Sequence, residues 1–399
     1  MKKQRIARTI FIILGLLTIS MAAKSFSSSE GVLPFPKFDL SKAHNPFSFI
    51  VYGDVQTIHE NGHTKLVDQM EEESVSLIFN TGDISPNDGK NLEGQFHSDI
   101  QKLASQIPFF PAAGNHDVEF RSPQSRFSFM HYFNNVYDFL SGQRLNSHLA
   151  RRENNQRLWY ALRYATSVLV VLDSNLIIDS GRYRDTHSLT PYQGFSEEQF
   201  RWVREVLETA DQDSSIQSKF VFMHHSPFLS KENRSMFGFG GHEDDRELMI
   251  GHAMPSSDGN SKEYLLDLFR RYNVTAVFSG HEHYYERWRE TINEGNGETR
   301  ALNWVVVGSG GVKPRENLEY GDNDLSELFE QGEVYDNYLK RIAKINSNWS
   351  SKLDRVFPNK ENSSGSFQNY MLVHVDGTNV RFETIDKNSV TRDSGHFSR

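Results

Sequence analysis

Short, strongly apolar runs alternate with amphipathic stretches from residue 46 to residue 311, and this alternation constrains the fold more than any other feature. The runs are rich in Val, Ile and Phe, which is typical of strands buried on both faces of a sheet. They lie at residues 47–54, 74–83, 108–117, 167–175, 219–225, 275–283 and 302–311. Strands that alternate with amphipathic segments predict an α/β fold.

The amphipathic stretches predict helices that cover this sheet. Residues 63–73, 196–210 and 262–272 carry apolar side chains every three or four positions, as a helix packed on one face requires. Ser196 is expected to cap the second of these helices, with Gln199 as its capping-box partner.

Residues 46–311 are predicted to form one domain with two interruptions. The first, residues 119–160, is polar and aromatic and is expected to be an insertion over a sheet edge. The second, residues 228–260, is rich in Gly, Ser and Asp and predicts a long loop, which in a compact domain is usually functional. Residues 312–399 form a C-terminal extension. An Asp-Gly pair between alternating runs at 370–385 predicts a closing β-hairpin that completes the fold.

The N-terminus has the composition of a targeting segment. A basic start precedes an almost unbroken apolar run over residues 10–23, which is shorter than the roughly 20 residues that span a bilayer. Residues 1–23 therefore predict a secretory signal peptide or a retained signal anchor, followed by a linker over residues 24–45. We expect an exported protein in a bacterial periplasm or at a cell surface, with membrane contact only through this segment. A chain without Cys fits that location without disulfides.

Five of the apolar runs end in small polar clusters that can bind metal. They read Gly53-Asp54-Val55-Gln56, Gly82-Asp83, Gly114-Asn115-His116-Asp117, His224-His225 and Gly280-His281-Glu282-His283. In open α/β sheets, ligands bind at the carboxyl ends of the strands, so these clusters are expected to share one crevice.

The donor set in this crevice indicates the kind of metal site. Carboxylate, amide and imidazole groups suit Mn, Fe or Zn, and thiolate sites are excluded because the chain has no Cys. The number of groups fits two divalent or trivalent ions that share one carboxylate. Two ions about 3.5–4 Å apart stabilise the attacking and leaving oxygens of a phosphoryl displacement.

The motif series resembles that of the calcineurin-like metallophosphoesterases: D-x-H, G-D, G-N-H-[DE], a His after a strand, and G-H-x-H. The resemblance covers residues 47–311, about two thirds of the chain. It implies a four-layer fold of α/β class with α+β character, in which a central β-sandwich of mixed strands is flanked by helices.

The resemblance also implies a role for each matching residue. The metal ligands would be Asp54, Gln56 and His283 for the first ion, Asn115, His224 and His281 for the second, and Asp83 for both. A hydroxide bridging the two ions would attack phosphorus in line. His116 would lie beside the leaving group, and Asp117 would orient it.

Two positions depart from the family pattern at the first ion. Gln56 stands where many members have His, and an amide oxygen is a weaker, uncharged ligand. Purple acid phosphatases, a neighbouring branch, use a Tyr from a G-D-x-x-Y motif instead. Pro86 occupies that place here, which disfavours a Tyr-to-iron charge-transfer site.

The paired histidines leave the assignment of one ligand open. Counting from Val221 favours His224 as the ligand, whereas counting back from Pro227 favours His225. We assign His224 to the metal and His225 to the substrate side. Arg287, which follows the last motif closely, is a second candidate substrate contact.

These observations predict a metal-dependent phosphoester hydrolase that acts on a small substrate, with a phosphomonoesterase favoured over a phosphodiesterase. A net charge of −9 does not favour binding of long nucleic acid through counterion release, which disfavours the alternative of a nuclease. The other alternative is a metallophosphoesterase-like module at the cell surface that binds a ligand without catalysis, which the substitution at Gln56 permits.

Overall fold

The computed structural model describes residues 31–56, 62–85, 94–118, 123–150, 157–175, 193–226, 253–255, 262–294, 296–314, 350–355 and 366–397. Every element below belongs to the unit that runs from Leu33 to Arg399. The predicted targeting segment and most of the predicted loop at 228–260 lie outside the described residues. Within those ranges, no helix is both long enough and apolar enough to cross a membrane.

A six-stranded mixed sheet has the order β15-β14-β13-β1-β2-β3. Its strands are β1 (Phe47–Tyr52), β2 (Leu77–Asn80), β3 (Phe109–Pro111), β13 (Asn369–Asp376), β14 (Asn379–Asp386) and β15 (Thr391–His396). The first three are parallel, and β13 runs antiparallel to β1 with Phe47 opposite Val375. The Asp-Gly pair noted in the sequence lies at the turn between β13 and β14, where Gly377 has φ +63°.

A seven-stranded mixed sheet has the order β12-β10-β11-β9-β6-β5-β4. Its strands are β4 (Tyr160–Tyr164), β5 (Ser167–Val171), β6 (Ser218–Phe222), β9 (Ala276–Ser279), β10 (Tyr285–Asn293), β11 (Thr299–Val307) and β12 (Ser350–Arg355). The four central strands are parallel. A separate two-stranded sheet pairs β7 (Ala253–Pro255) with β8 (Lys262–Tyr264). Each of the seven apolar runs contributes a strand to one of the two large sheets, which confirms the predicted fold class.

Helices pack on the outer faces of the two large sheets and complete four layers. They are α1 (Gly62–Glu71), α2 (Gln95–Ala104), α3 (Pro123–Tyr132), α4 (Asn134–Ser141), α5 (Gln193–Gln212) and α6 (Leu265–Arg271). Apolar side chains of α1, α2, α3 and α4 join the core of the six-stranded sheet. Those of α5 and α6 form a second core against the seven-stranded sheet. Two 3-10 turns, Leu40–Lys42 and Arg144–Ala150, accompany them.

Phenylalanine side chains fill the space between the two sheets. Phe79 of β2 stacks on Phe222 of β6 with ring centroids 4.0 Å apart and planes 6° from parallel. Phe222 in turn stacks on Phe278 of β9 at 5.2 Å, and Phe49 of β1 meets Phe220 edge to face at 5.2 Å. These are four of the five strands whose ends carry the polar clusters, so this aromatic core fixes those ends relative to one another.

Two local predictions were wrong. Helix α5 begins at Gln193, three residues before the expected cap at Ser196. The buried side chain of Gln199 hydrogen-bonds the backbone N–H and C=O of Asp173 instead of a helix end. The expected helix over 262–272 is shorter, because its first three residues form β8 and the helix starts at Leu265.

Replacing Phe79 by Ala is expected to destabilise the fold by about 3–5 kcal/mol, because the ring is fully buried and its removal leaves a cavity between the sheets. The free energy of unfolding in urea measures this loss. Phe127→Ala is the matched control, because that side chain is 51% exposed and its removal should change stability by less than about 0.5 kcal/mol. Equal losses for the two variants would contradict the packing described.

Candidate metal centre

The polar clusters converge where the parallel strands of the two sheets end. The loops after β1 and β2 are joined by the N–H of Asp54, which donates to the carbonyl of Gly82 at 2.8 Å. The loops after β6 and β9 are joined by the N–H of Gly280, which donates to the carbonyl of His224 at 2.9 Å. The backbone N–H of His281, after β9, donates to the carboxylate of Asp54, after β1, so side chains from both sheets meet in one place.

Asp54 and His283 lie side by side at the position predicted for the first ion. Asp54 is fully buried, and its two carboxylate oxygens accept the backbone N–H of His281 at 3.0 and 2.9 Å. The Nε2 atom of His283 lies 3.7 Å from Oδ1 of Asp54. One carboxylate and one imidazole thus face the same space.

The carboxylate of Asp83 lies close to residues that the sequence assigns to both ions. Its Oδ1 atom accepts the backbone N–H of His116 at 2.8 Å and lies 3.3 Å from Nε2 of His224. Its Oδ2 atom accepts a hydrogen bond from Nε2 of Gln56 at 2.9 Å. Ligand atoms of Asp54, Asp83 and His224 all lie within 4.8 Å of one another. Asp83 is therefore in position to contact two cations at once.

His224 is held in the tautomer that metal binding requires. Its Nδ1 atom lies 2.9 Å from the carbonyl oxygen of Thr81, and a carbonyl can only accept, so Nδ1 carries the hydrogen. In the neutral imidazole the lone pair is then on Nε2, which lies 3.0 Å from Oδ1 of Asn115 and 3.2 Å from Nδ1 of His281. Metal-binding histidines are usually oriented through their second ring nitrogen in this way.

The charges in this group favour a bound cation. Burial acts to lower the pKa of His224, but the negative charges of Asp83 and Asp54 outweigh it and raise this pKa to about 9. Burial acts to raise the pKa of Asp83, and the neighbouring His224 lowers it below its ordinary value. Two buried carboxylates thus require positive charge, which protons or metal ions supply in competition. Together with an amide oxygen and three imidazoles, this donor set fits two ions of Mn, Fe or Zn.

His225 lies in the same group, so the structure brings both members of the His pair to the site. Its Nδ1 and its backbone N–H contact Oγ of Ser174 at 2.8 and 3.1 Å. Its ring lies 4.4 Å from that of His281 and 4.9 Å from that of His224. Of the two, His224 contacts Asp83 and Asn115. The predicted contact of His225 with substrate stays a prediction.

Ser174 is a positioning residue that the sequence interpretation missed. It belongs to Asp173-Ser174-Asn175, the polar segment that follows β5. Asn175 donates to the carbonyl of Ala113 at 2.9 Å, which ties this loop to the one after β3. The signal was present in the sequence, because this segment also ends an apolar run.

His116 and Asp117 are adjacent in sequence, but their side chains lie in different environments. The side chain of His116 is 43% exposed, with Nε2 4.0 Å from Oδ2 of Asp83, so it lies at the solvent side of the site. Asp117 is fully buried, and its carboxylate accepts backbone N–H groups of Gly114, Ile84 and Ser85 at 2.8–2.9 Å. Burial, aided by the charge of Asp83, raises the pKa of Asp117 to about 7. These hydrogen bonds position two loops, and orientation of His116 by Asp117 stays a prediction.

Two other predicted site residues make contacts within the protein. The side-chain amide of Gln56 contacts Oδ2 of Asp83 at 2.9 Å, and its role as a metal ligand stays a prediction. Arg287 is buried, with Nε 2.9 Å from the carboxylate of Asp393 and its guanidinium 4.7 Å above the ring of Phe382. The prediction that Arg287 contacts substrate is therefore corrected, because its guanidinium is paired with the carboxylate of Asp393 inside the protein.

Gly82 makes the close approach of the metal-binding loops possible. Its φ of +101° lies in a region that L-residues rarely adopt. A Cβ atom at this position would lie 2.7 Å from the backbone nitrogen of Gly114 and 2.8 Å from Nδ1 of His224. The Gly before Asp83 is thus required for packing as well as for the turn.

Replacing Asp117 by Ala is expected to destabilise the protein by several kcal/mol, because three buried N–H groups lose their acceptor at about 1–3 kcal/mol each. Asp117→Asn keeps one acceptor oxygen and should lose less. The melting temperatures of the two variants show which of them loses more stability. A variant Asp117→Ala as stable as the wild type would show that the carboxylate does not hold these loops.

Comparison with known proteins identifies the family. The family model described as calcineurin-like phosphoesterase matches residues 47–285. Purple acid phosphatase 21 of Arabidopsis thaliana is 25% identical over 309 residues, which cover 76% of this chain and 59% of the relative. Acid phosphatase type 7 of Mus musculus is 21% identical over 243 residues, covering 59% of this chain and 46% of that protein. The chain thus spans about half the length of these relatives.

Two further relatives bear on the fold and the metals. Purple acid phosphatase PPD1 from yellow lupin seeds superposes with a TM-score of 0.50 at 16% identity, over 88% of this chain and 54% of that one. The Fe(3+)-Zn(2+) purple acid phosphatase 12 of Arabidopsis thaliana is 21% identical over 67% of this chain and 50% of its own length. The family match covers more than half of the chain and includes every strand end in the site, so the chain belongs to the calcineurin-like phosphoesterase family.

Proposed function

We propose that the chain is a metal-dependent phosphomonoesterase that hydrolyses small phosphate esters. The observation that carries this proposal is the position of Asp83, whose carboxylate lies within 4.8 Å of ligand atoms of both Asp54 and His224, the residues assigned to the two ions. A shared carboxylate between two cations is the arrangement that phosphoryl displacement by paired ions requires.

The charge of the site supports a metal-dependent reaction. A phosphate ester is an anion, and the buried carboxylates of Asp54 and Asp83 would repel it if they stood alone. The proposed ligands Asp54, Asp83, Asn115, His224, His281 and His283 would hold the two ions that reverse this charge. When bound, such ions supply Lewis-acid stabilisation of the charge that builds on the phosphoryl and departing oxygens.

The position of His116 supports a role as proton donor to the leaving group. Its backbone N–H donates to Oδ1 of Asp83, which holds the residue beside the ion positions. Its imidazole is 43% exposed and therefore open to a substrate that enters from solvent. We assign it to donate a hydrogen bond or a proton to the departing oxygen, the role in which a positioned His is most common.

The preference for monoesters rests on the relatives. The named relatives from Arabidopsis thaliana and Mus musculus are acid phosphatases, although each is only partly covered by this chain. Mn, Fe and Zn all fit the donor set, and a Fe(3+)-Zn(2+) relative supports a mixed pair.

The basic, apolar N-terminal segment supports export, and the mass of the mature N-terminus distinguishes cleavage of residues 1–23 from retention.

Asp83→Asn is expected to lower the hydrolysis of p-nitrophenyl phosphate in the presence of Mn²⁺ by about 10³-fold. The reason is that two ions contribute several kcal/mol of transition-state stabilisation and lose their shared ligand. Asp213→Asn, at an exposed turn bonded to Ser215, is the matched control and should retain the wild-type rate.

The same assay separates the alternatives. Equal rates for wild type and Asp83→Asn, or no hydrolysis with Mn²⁺, Zn²⁺ or Fe, would contradict catalysis and favour a binding module. Faster hydrolysis of bis(p-nitrophenyl) phosphate would contradict the monoester preference. Faster cleavage of short oligonucleotides would favour a nuclease.

His116→Ala is expected to lower kcat by about 10²–10⁴-fold on alkyl phosphates, whose leaving groups require a proton. The loss should be much smaller on p-nitrophenyl phosphate, because nitrophenolate departs without protonation. His374→Ala is the control: this partly exposed histidine pairs with Ser48 at the opposite end of β1. Equal losses on both substrates would show that His116 is not the proton donor.

A further inference from the structure

The predicted first ion position takes ligands from two different sheets. Asp54 follows β1 of the six-stranded sheet, whereas His283 precedes β10 of the seven-stranded sheet. Nε2 of His283 lies 3.7 Å from Oδ1 of Asp54. Metal–ligand bonds of about 2.0–2.2 Å tolerate deviations of only about 0.2 Å. A cation bound to both groups therefore depends on how firmly the end of β1 and the start of β10 are held relative to each other.

A buried carboxylate of the C-terminal strand β15 holds the start of β10. Oδ2 of Asp393 accepts the hydroxyl of Tyr285 at 2.7 Å and Nε of Arg287 at 2.9 Å. The side chain of Asp393 is 2% exposed, and the guanidinium of Arg287 also lies 4.7 Å above the ring of Phe382 in β14. Because β14 and β15 belong to the six-stranded sheet, these contacts join the two sheets just beyond His283.

A second set of contacts from the C-terminal segment reaches Asp54. The backbone N–H of Asn369 in β13 donates to the carbonyl of Ser309 at 3.0 Å, which holds the loop after β11. From this loop, the N–H of Val312 donates to the carbonyl of Asp54 at 3.1 Å. These bonds to and from the loop are made by backbone groups, whereas the hydrogen bonds to β10 described above are made by the side chain of Asp393.

We propose that Asp393 is a positioning residue for the first ion. It fixes the start of β10, and with it His283, at the distance from Asp54 that a cation bound to both requires. An amide in its place would remove the negative charge with which the buried guanidinium of Arg287 is paired. This inference rests on the proposed function only in requiring that a cation binds between Asp54 and His283.

Titration of the chelator-treated full chain with Mn²⁺, followed by calorimetry, tests the proposal. Asp393→Asn should weaken one binding event by about 10-fold or more, the cost of losing a group that orients a metal ligand. His283→Ala removes the ligand itself and identifies the event that belongs to the first ion. Tyr285→Phe keeps the ring and the charge pair, and it should weaken the same event less. This milder variant supplies the test if Asp393→Asn does not fold.

Asp386→Asn is the matched control. Asp386 is also a buried carboxylate of the C-terminal segment and is paired with Arg392. It accepts the backbone N–H groups of Asn388 and Val390 within its own turn instead of contacting β10. This variant should lose stability as well, yet keep the wild-type affinity for Mn²⁺. Melting temperatures measured beside the isotherms therefore separate a loss of stability from a loss of positioning.

The double variant Asp393→Asn/His283→Ala gives the decisive comparison. If Asp393 acts through His283, its substitution has no further effect on Mn²⁺ binding once that ligand is absent. In the single variant Asp393→Asn, the rate of p-nitrophenyl phosphate hydrolysis should recover as the Mn²⁺ concentration is raised, because the first ion is then restored by mass action.

Two results would overturn the inference while leaving the proposed function intact. One is an equal effect of Asp393→Asn and Asp386→Asn on Mn²⁺ affinity, and the other is weaker binding of the remaining ion in the double variant than in His283→Ala. A wild-type chain that binds no Mn²⁺, Zn²⁺ or Fe would overturn the proposed function and this inference together. The binding isotherms distinguish these outcomes without any activity measurement.

Discussion

The buried carboxylate of Asp83 is the interaction on which the rest of the site depends. It receives hydrogen bonds from the segments that follow β1 and β3 and contacts His224 beyond β6, so three strand ends meet on one side chain. Such a carboxylate is stable only if its charge is compensated, and in this position the compensation comes from imidazole protons or from cations. The geometry of the loops, the charge of the site and the proposed chemistry therefore all depend on the carboxylate of Asp83.

The architecture supplies the rigidity that this arrangement needs. The stacked rings of Phe79 and Phe222 lock β2 to β6 between the two sheets, a few residues before Asp83 and His224. Gly82 allows the loops after these strands to approach within contact distance, and the buried carboxylate of Asp117 fixes the neighbouring turn. The ligands thus project from a well-packed core, whereas His116 faces solvent and is available to a substrate.

Much of this was predictable from the sequence, because the signals were local. Apolar runs identified the strands, and the Gly-Asp and Gly-His clusters at their ends identified the ligands, since carboxyl ends of parallel strands must meet. The structural features that the sequence did not predict depend on contacts between residues that are distant in the chain. Strand β10 was missed because its charged residues suggest exposure, although Glu290 is buried against Arg270 of α6. The pairing of Arg287 with Asp393, 106 residues away, likewise has no local signal.

Gln56 lies where the sequence predicts, beside the carboxylate of Asp83. The sequence marked this position as a departure from the family pattern, and the structure places its side-chain amide 2.9 Å from Oδ2 of Asp83. This contact depends on the position of Asp83, which a linear pattern does not contain.

Anomalous diffraction from crystals grown with excess Mn²⁺ tests the central claim most directly. Two anomalous peaks are expected about 3.5–4 Å apart, one on each side of the Asp83 carboxylate. Peaks found only away from Asp83, or none at all at saturating metal, would contradict it.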